Sequence, residues 1–227
     1  MLESPGVALP DHHISTGAHI PLQIADVWPP ARHAGTGPGY VAGVAIVRLL
    51  DADQAPLLAR PYYADGDPGP IVGALAQVPE LLETALPFIG AALGPSALSW
   101  RVKELVIVRT SALLRCRYCV QTHTAVALDA GLSRAEILAL RERTPLDEAF
   151  TESAELALLR WVDVVAVGPG QVPADVRADM AKHWADHEIV EATVTIGATV
   201  MLNRFATSLG LPTSAATARR LAAEDLL

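Results

Sequence analysis

The two cysteines of the chain and a nearby histidine could together do redox chemistry. The stretch CRYCVQTH runs from Cys116 to His123, with Cys119 three residues after the first cysteine. If the stretch is helical, the three side chains share one face, because a turn takes about 3.6 residues. Two thiols at this spacing can close a disulfide with little backbone movement. The imidazole one turn later can accept or return a proton.

The position of Cys116 favours a reactive thiol. We expect it at or near a helix N-terminus, where free N–H groups and the helix dipole stabilise a thiolate. Arg115 and Arg117 flank it and add positive potential. A lone cysteine is more often a core residue, but the pair followed by His123 favours a dithiol that acts with an acid–base group.

Two other interpretations of the cysteines stay open. Both could fill the core, with His123 as a hydrogen-bonded buried histidine. Zinc could bind all three side chains, but structural zinc normally takes four ligands and the sequence holds no second cysteine pair. We therefore expect no metal and no bound cofactor.

Glu104 is the second residue of interest, because it lies in the otherwise apolar stretch VKELVIVRTSALL. A buried carboxylate is costly unless it has a partner. It could pair with Arg101, Lys103 or Arg109. It could instead hold His123 in the orientation and tautomer that proton transfer needs.

The elements that must position these residues are predicted to be helices. Hydrophobic residues make up 51% of the 227 residues and aromatics only 5%, so the apolar mass is mainly Ala, Leu and Val. The stretch GALAQVPELLETALPFIGAALG, residues 73–94, is predicted as two short helices broken near Pro79 and Pro87. Ser133 and Glu136 have capping-box spacing. Two long helices, near 100–115 and 188–208, are apolar all round and are predicted to be buried on every side. Subunit contacts would complete this burial, which predicts a homo-oligomer.

The N-terminal part differs, since the first 70 residues hold 10 of the 17 prolines. We predict an irregular Pro/Gly-rich arm over 1–69 and an all-helical domain over 70–227. The apolar stretch VAGVAIVRLLDA interrupts the arm and could be a helix or a strand.

Charge and hydropathy exclude several classes of function. The formal net charge is -8, which argues against a nucleic-acid partner. No apolar run is long enough to span a membrane, and the N-terminus lacks a signal-peptide pattern. We expect a cytoplasmic protein, where close cysteines are more often redox-active or metal-bound than structural.

These residues resemble the AhpD-like superfamily, which includes alkyl hydroperoxide reductase D and the carboxymuconolactone decarboxylases. The peroxidase signature of that family is a Glu, a CxxC twelve residues later, and a His four residues after the second Cys. Glu104, Cys116, Cys119 and His123 have this spacing. The resemblance covers roughly residues 70–212. At the position between the cysteines, the well-studied peroxidase has a His and this chain has Tyr118.

The resemblance implies an all-α, AhpD-like helical bundle that assembles into a dimer, trimer or hexamer. It also implies a thiol-dependent peroxidase that reduces a hydroperoxide and is restored by a dithiol or protein reductant. In the family the second cysteine attacks, which makes Cys119 peroxidatic and Cys116 resolving, with Glu104 and His123 as proton relay.

The acid–base argument agrees with the family, because His123 lies one turn from Cys119. We further expect Cys116 to be the exposed partner that reductants reach. Two alternative functions stay open. One is a thiol–disulfide oxidoreductase or adaptor without peroxidase activity, and the other is a lyase that acts on a lactone with His123 and Glu104 as acid and base.

Overall fold

The computed structural model describes residues 45–227 of the chain, and this part is all-α, as predicted. A short 3-10 helix, Arg60–Tyr63, precedes ten α-helices. No β-strand occurs between residues 45 and 227. The α-helices, in chain order, are α1 (Pro70–Leu75), α2 (Pro79–Leu93), α3 (Trp100–Leu113), α4 (Arg117–Asp129), α5 (Arg134–Leu140), α6 (Leu146–Ala149), α7 (Ser153–Val167), α8 (Ala174–His183), α9 (Asp186–Leu209) and α10 (Ala215–Ala223).

Local sequence signals set several helix boundaries. The side chain of Ser99 accepts the N–H of Val102 and caps α3. Ser133 and Glu136 form the predicted capping box at the start of α5. Gly210 ends α9 with a φ of 66°, in the left-handed region that glycine adopts without strain.

The predicted break of α2 at Pro87 is wrong. The helix begins at Pro79 and continues through Pro87 to Leu93. Pro87 is on the exposed side, while Leu82 and Leu86 are buried at 0% and 4% exposure. The packing of these leucines outweighs the hydrogen bond that proline cannot make.

Helix α3 occupies the centre of the molecule. Its residues Leu105 to Val108 are all at most 1% exposed, and the helix packs against α4, α7 and α9. The prediction of an all-round buried helix is therefore confirmed for α3. It is wrong for α9, because Val190, Val194 and Met201 are 63%, 43% and 46% exposed. These three residues lie along one side of α9, and we call them the α9 stripe.

Residues 45–69 contribute to the core of the helical body. Leu50, Ala59 and Tyr63 are buried in one cluster with Val72 and Leu82. The stretch VAGVAIVRLLDA, predicted as helix or strand, has no regular secondary structure from residue 45 onward. Residues 1–44 lie outside the described residues, and the domain boundary at 69/70 stays a prediction.

The lengths and hydropathy of the helices bear on the absence of a membrane span that the sequence predicts. None of the helices between residues 45 and 227 is long and apolar enough to cross a bilayer.

Candidate active site

The turn between α3 and α4 places Cys116 at the N-cap of α4. Arg115 adopts a φ of 54°, which is uncommon for a residue with a Cβ and reverses the chain within three residues. The N–H of Cys116 donates to the carbonyl of Ser111 at 3.1 Å. The Sγ atom of Cys116 accepts the N–H of Cys119 at 3.4 Å. Cys116 thus replaces the hydroxyl or carboxylate that usually caps a helix.

The two sulfur atoms lie 2.8 Å apart as free thiols. The hydrogen bond from the Cys119 thiol lowers the pKa of Cys116 to about 6. Burial opposes this shift, while the Cys119 N–H, the Thr207 hydroxyl and the charge of His123 add to it. The same hydrogen bond between the two thiols raises the pKa of Cys119, and burial raises it further. Near neutral pH the pair therefore holds one proton, on Cys119, and one negative charge, on Cys116.

Glu104 of α3 pairs with His123 of α4. The Nδ1 atom of His123 lies 3.0 Å from Oε2 and 3.3 Å from Oε1 of Glu104. Both side chains are buried, at 2% exposure for Glu104 and 7% for His123. The carboxylate fixes the orientation of the imidazole.

Glu104 forms no ion pair with Arg101, Lys103 or Arg109, the alternative partners that the sequence left open. Each of the three basic residues of α3 instead contacts an acid on another helix. These pairs are Arg101 with Glu136 and Glu155, Lys103 with Glu191 at 2.7 Å, and Arg109 with Asp163 at 2.6 Å. The four candidate residues thus form two pairs, Cys116 with Cys119 and Glu104 with His123, and the charge of His123 acts on Cys116.

The cysteine pair is closed off from solvent in this conformation. Cys116 is 1% exposed and Cys119 is 5% exposed. The prediction that Cys116 is the exposed partner is therefore wrong. Cys116 belongs to a cluster built from distant parts of the chain, and apolar side chains such as Val47, Ile71 and Phe205 pack against that cluster.

Thr207 is a neighbour of Cys116 that sequence reasoning missed. Its hydroxyl hydrogen-bonds Cys116 and helps to lower the pKa of that thiol. Thr207 follows Asn203 by four residues, and Asn203 is buried in α9. Residues four apart share a helix face, so Asn203 and Thr207 face the same side of α9. Nothing local in the sequence linked α9 to the cysteines.

No metal site is found in residues 45–227. No group of three His, Cys, Asp or Glu side chains in this range is arranged to hold an ion. The zinc interpretation therefore gains no support from the described residues.

The family model of the carboxymuconolactone decarboxylase family matches residues 79–164. This range begins with α2, ends within α7 and contains all four candidate residues. No curated protein sequence matches the chain significantly.

Several solved structures share the fold. A protein of unknown function from Agrobacterium tumefaciens, whose description proposes a role in antioxidant defence as AhpD, is 29% identical with a TM-score of 0.54. The match covers 60% of this chain and 92% of that one. An uncharacterized peroxidase-related protein with an AhpD core, from Ralstonia eutropha JMP134, is 16% identical with a TM-score of 0.68. That match covers 78% of this chain and 96% of that one.

A debrominase has the same fold as well. The structure of Bmp8 in complex with 2,3,4-tribromopyrrole is 15% identical to this chain, with a TM-score of 0.65. The match covers 84% of this chain and 100% of that one. At this level of identity the likeness establishes the fold and not the chemistry.

Proposed function

Because this chain belongs to the AhpD-like superfamily, we propose that it is a thiol-dependent peroxidase that reduces hydroperoxides through a Cys116–Cys119 disulfide. The observation that carries the proposal is the dithiol with its sulfurs 2.8 Å apart at the start of a helix. His123, on the same helix, pairs with Glu104 of the neighbouring helix α3. This pair supplies the acid–base group that peroxide cleavage needs.

In the first step the Cys119 sulfur attacks the outer oxygen of the hydroperoxide. An S–O bond forms and the O–O bond breaks, so the sulfur is oxidised and the peroxide is reduced. The Cys119 proton passes to the Cys116 thiolate, 2.8 Å away. Protonated His123 gives its proton to the leaving alkoxide, which departs as an alcohol.

In the second step Cys116 attacks the sulfenic acid on Cys119. The Cys116 proton passes to neutral His123, the S–S bond forms, and the S–O bond breaks. The departing hydroxide takes the proton back from His123 and leaves as water. A dithiol or protein reductant then restores both thiols by exchange through a mixed disulfide.

The assignment of Cys119 as the nucleophile stays a proposal, because the pKa order points to Cys116 as the resting thiolate. The two thiols form a coupled pair that shares one proton, so Cys116 can accept the Cys119 proton as the S–O bond forms. A low pKa also reduces the intrinsic nucleophilicity of a thiolate. Acid–base assistance of about 10²–10⁴-fold favours the sulfur one turn from His123.

The Agrobacterium protein supports the antioxidant role, since its description names the same defence system at 29% identity. Two alternatives use the same residues. A thiol–disulfide oxidoreductase would need the dithiol but no peroxide, and a lactone lyase would need His123 and Glu104 but neither cysteine. The likeness to a debrominase rests on fold alone and adds no specific candidate.

A kinetic assay separates these functions. Consumption of an alkyl hydroperoxide is followed with dithiothreitol as reductant, in the wild type and in Cys119→Ser. We expect catalytic consumption by the wild type and only the background rate with the variant. No consumption by the wild type, together with reduction of a small disulfide, would leave the oxidoreductase. Activity toward a lactone that survives in Cys119→Ser would support the lyase.

We also propose that the protein is a cytoplasmic homo-oligomer. The α9 stripe supports self-association, because Val190, Val194 and Met201 expose apolar surface along one side of a long helix. Helix α2 packs beside α9 and adds Leu81 and Phe88, which are 52% and 48% exposed. A second copy placed on these helices would cover both sets.

A further inference from the structure

A short segment, residues 45–50, packs against the cluster that contains the cysteine pair, and we call it the strap. Its side chains alternate. Ala45, Val47 and Leu49 are half-buried and pack against the cluster that contains Cys116 and Cys119. Ile46 is 77% exposed, and Arg48 also points outward. This period of two is that of an extended chain with one face against the protein.

One end of the strap is fixed firmly to the helical body. The N–H of Leu50 donates to the carbonyl of Gly73 at 3.0 Å, and the Tyr63 hydroxyl donates to the Leu50 carbonyl at 2.9 Å. The close approach depends on a glycine. A Cβ at position 73 would lie 3.1 Å from the Leu50 carbonyl oxygen, tighter than ordinary contact. Leu50 itself is 8% exposed in a core cluster.

Within residues 45–227, two hydrogen bonds hold the remainder of the strap. The N–H of Ile46 donates to the carbonyl of Leu209 at 3.0 Å, at the end of α9. The side-chain amide of Gln77 donates to the carbonyl of Arg48 at 2.7 Å. Segments with few hydrogen bonds and partly buried side chains open at a lower free energy than the core. The strap can therefore turn about Leu50 without disturbing the helices.

Access to the sulfurs depends on this segment. Thiol–disulfide exchange needs a reductant sulfur to approach a cysteine sulfur directly through a mixed disulfide. With Cys116 1% and Cys119 5% exposed, no folded protein can present a thiol to either atom. A small molecule needs only a gap of its own width between loosely held side chains.

We propose that the strap determines which molecules reach the dithiol, with Val47 and Leu49 as the specificity-determining residues. Small hydroperoxides and small dithiols pass while the strap is in place. Bulky hydroperoxides and protein reductants react only after the strap turns away about Leu50. The identity of these reactants rests on the proposed function, whereas the effect of the strap on thiol access does not.

The test compares two thiol reagents on the reduced full-length protein. Iodoacetamide is the small probe, and a maleimide attached to a large polyethylene glycol chain is the bulky one. Each rate is divided by the rate of that reagent with free glutathione at the same pH. We expect the wild type to react at least tenfold faster with the small probe than with the bulky one on this scale.

Alternation along the strap supplies matched variants. Val47→Ala with Leu49→Ala removes the inward side chains, and Ile46→Ala with Arg48→Ala removes the outward ones. We expect the Val47→Ala, Leu49→Ala variant to raise the rate of alkylation by the bulky maleimide at least tenfold. Its rate with iodoacetamide should rise less than threefold. The outward pair should alter both rates less than twofold. Equal effects of the two pairs, or equal normalised rates in the wild type, would overturn the proposal.

A second variant keeps the test decisive if the inward pair fails to fold. Ile46→Pro keeps every inward side chain but removes the N–H that donates to Leu209. This variant should also raise the rate of alkylation by the bulky maleimide. An unchanged rate would contradict the proposal that the strap controls access to the cysteines. Alkylation needs no peroxide. If labelling follows this pattern while the protein consumes no hydroperoxide, the strap stands and the peroxidase proposal fails.

Discussion

The Nδ1 atom of His123 lies 3.0 Å from Oε2 of Glu104, joining α4 to α3 inside the protein. A buried carboxylate that holds one ring nitrogen fixes both the tautomer and the direction of the imidazole. This geometry assigns different roles in proton transfer to the two residues. In the proposed mechanism His123 moves the proton, and Glu104 positions the imidazole.

This division predicts unequal losses on substitution. His123→Gln should slow the formation of sulfenic acid by about 10²–10⁴-fold, the usual contribution of a positioned acid–base group. Glu104→Gln should slow it less, by about tenfold, because the imidazole remains. Stopped-flow mixing with peroxide measures both rates, and His183→Gln serves as a control remote from the site. A wild-type rate in His123→Gln would exclude the relay.

The resting charge of the site is a second prediction. With its pKa at about 6, Cys116 should be a thiolate at neutral pH, and ultraviolet thiolate absorbance should titrate with a midpoint near that value. The transition should be absent in Cys116→Ser. A midpoint near the ordinary thiol pKa of about 8.5 would show that the Cys119 thiol does not stabilise the thiolate.

The same shift links stability to pH. The folded pKa of Cys116 is below its unfolded value, so the stabilisation is fully present above about pH 8.5 and is lost as the pH falls through about 6. The difference in free energy of unfolding between the wild type and Cys116→Ala should therefore grow from pH 6 to pH 8.5. Denaturant unfolding at several pH values measures it, and a difference that does not change with pH would contradict the shift.

The two cysteines should differ in their reaction with peroxide. Cys116→Ser should still form a sulfenic acid that dimedone traps, because Cys119 keeps its acid–base partner but loses the resolving thiol. Cys119→Ser should form none at the same peroxide concentration. Mass spectrometry of the dimedone adduct distinguishes the variants. Equal trapping in both would mean that the relay does not select the nucleophile.

Much of the site follows from local sequence rules. The spacing of Cys116, Cys119 and His123 places them on one helical face, and the structure has them in α4 and its N-cap. The isolated carboxylate of Glu104 in an apolar helix indicated a buried partner, which is His123. The capping box at Ser133 and Glu136 is equally local, because each residue satisfies the backbone of the other.

What the sequence did not predict depends on distant contacts. Pro87 remains helical because leucines on the opposite side of α2 pack into the core. Cys116 is buried in a cluster against which the strap, about 70 residues earlier in the chain, packs together with residues of α1 and α9. The exposure of the α9 stripe likewise depends on which neighbours a long apolar helix has. No pattern within a single helix contains this information.

Self-association should depend on the α9 stripe. Val194→Asp places a charge in the centre of the stripe, where Val194 is 43% exposed, and should shift the protein toward a 24.0 kDa monomer. Ala181→Asp adds the same charge at an exposed position of α8 and should leave the assembly unchanged. Sedimentation at micromolar concentration measures both. A wild type that sediments only as monomer would refute the oligomer.

The central claim is that the chain reduces peroxide with its own two cysteines. The most direct measurement counts free thiols in the unfolded protein before and after one equivalent of an alkyl hydroperoxide. We predict the loss of both thiols per chain, with full recovery after treatment with a dithiol. An unchanged thiol count after peroxide would contradict the account.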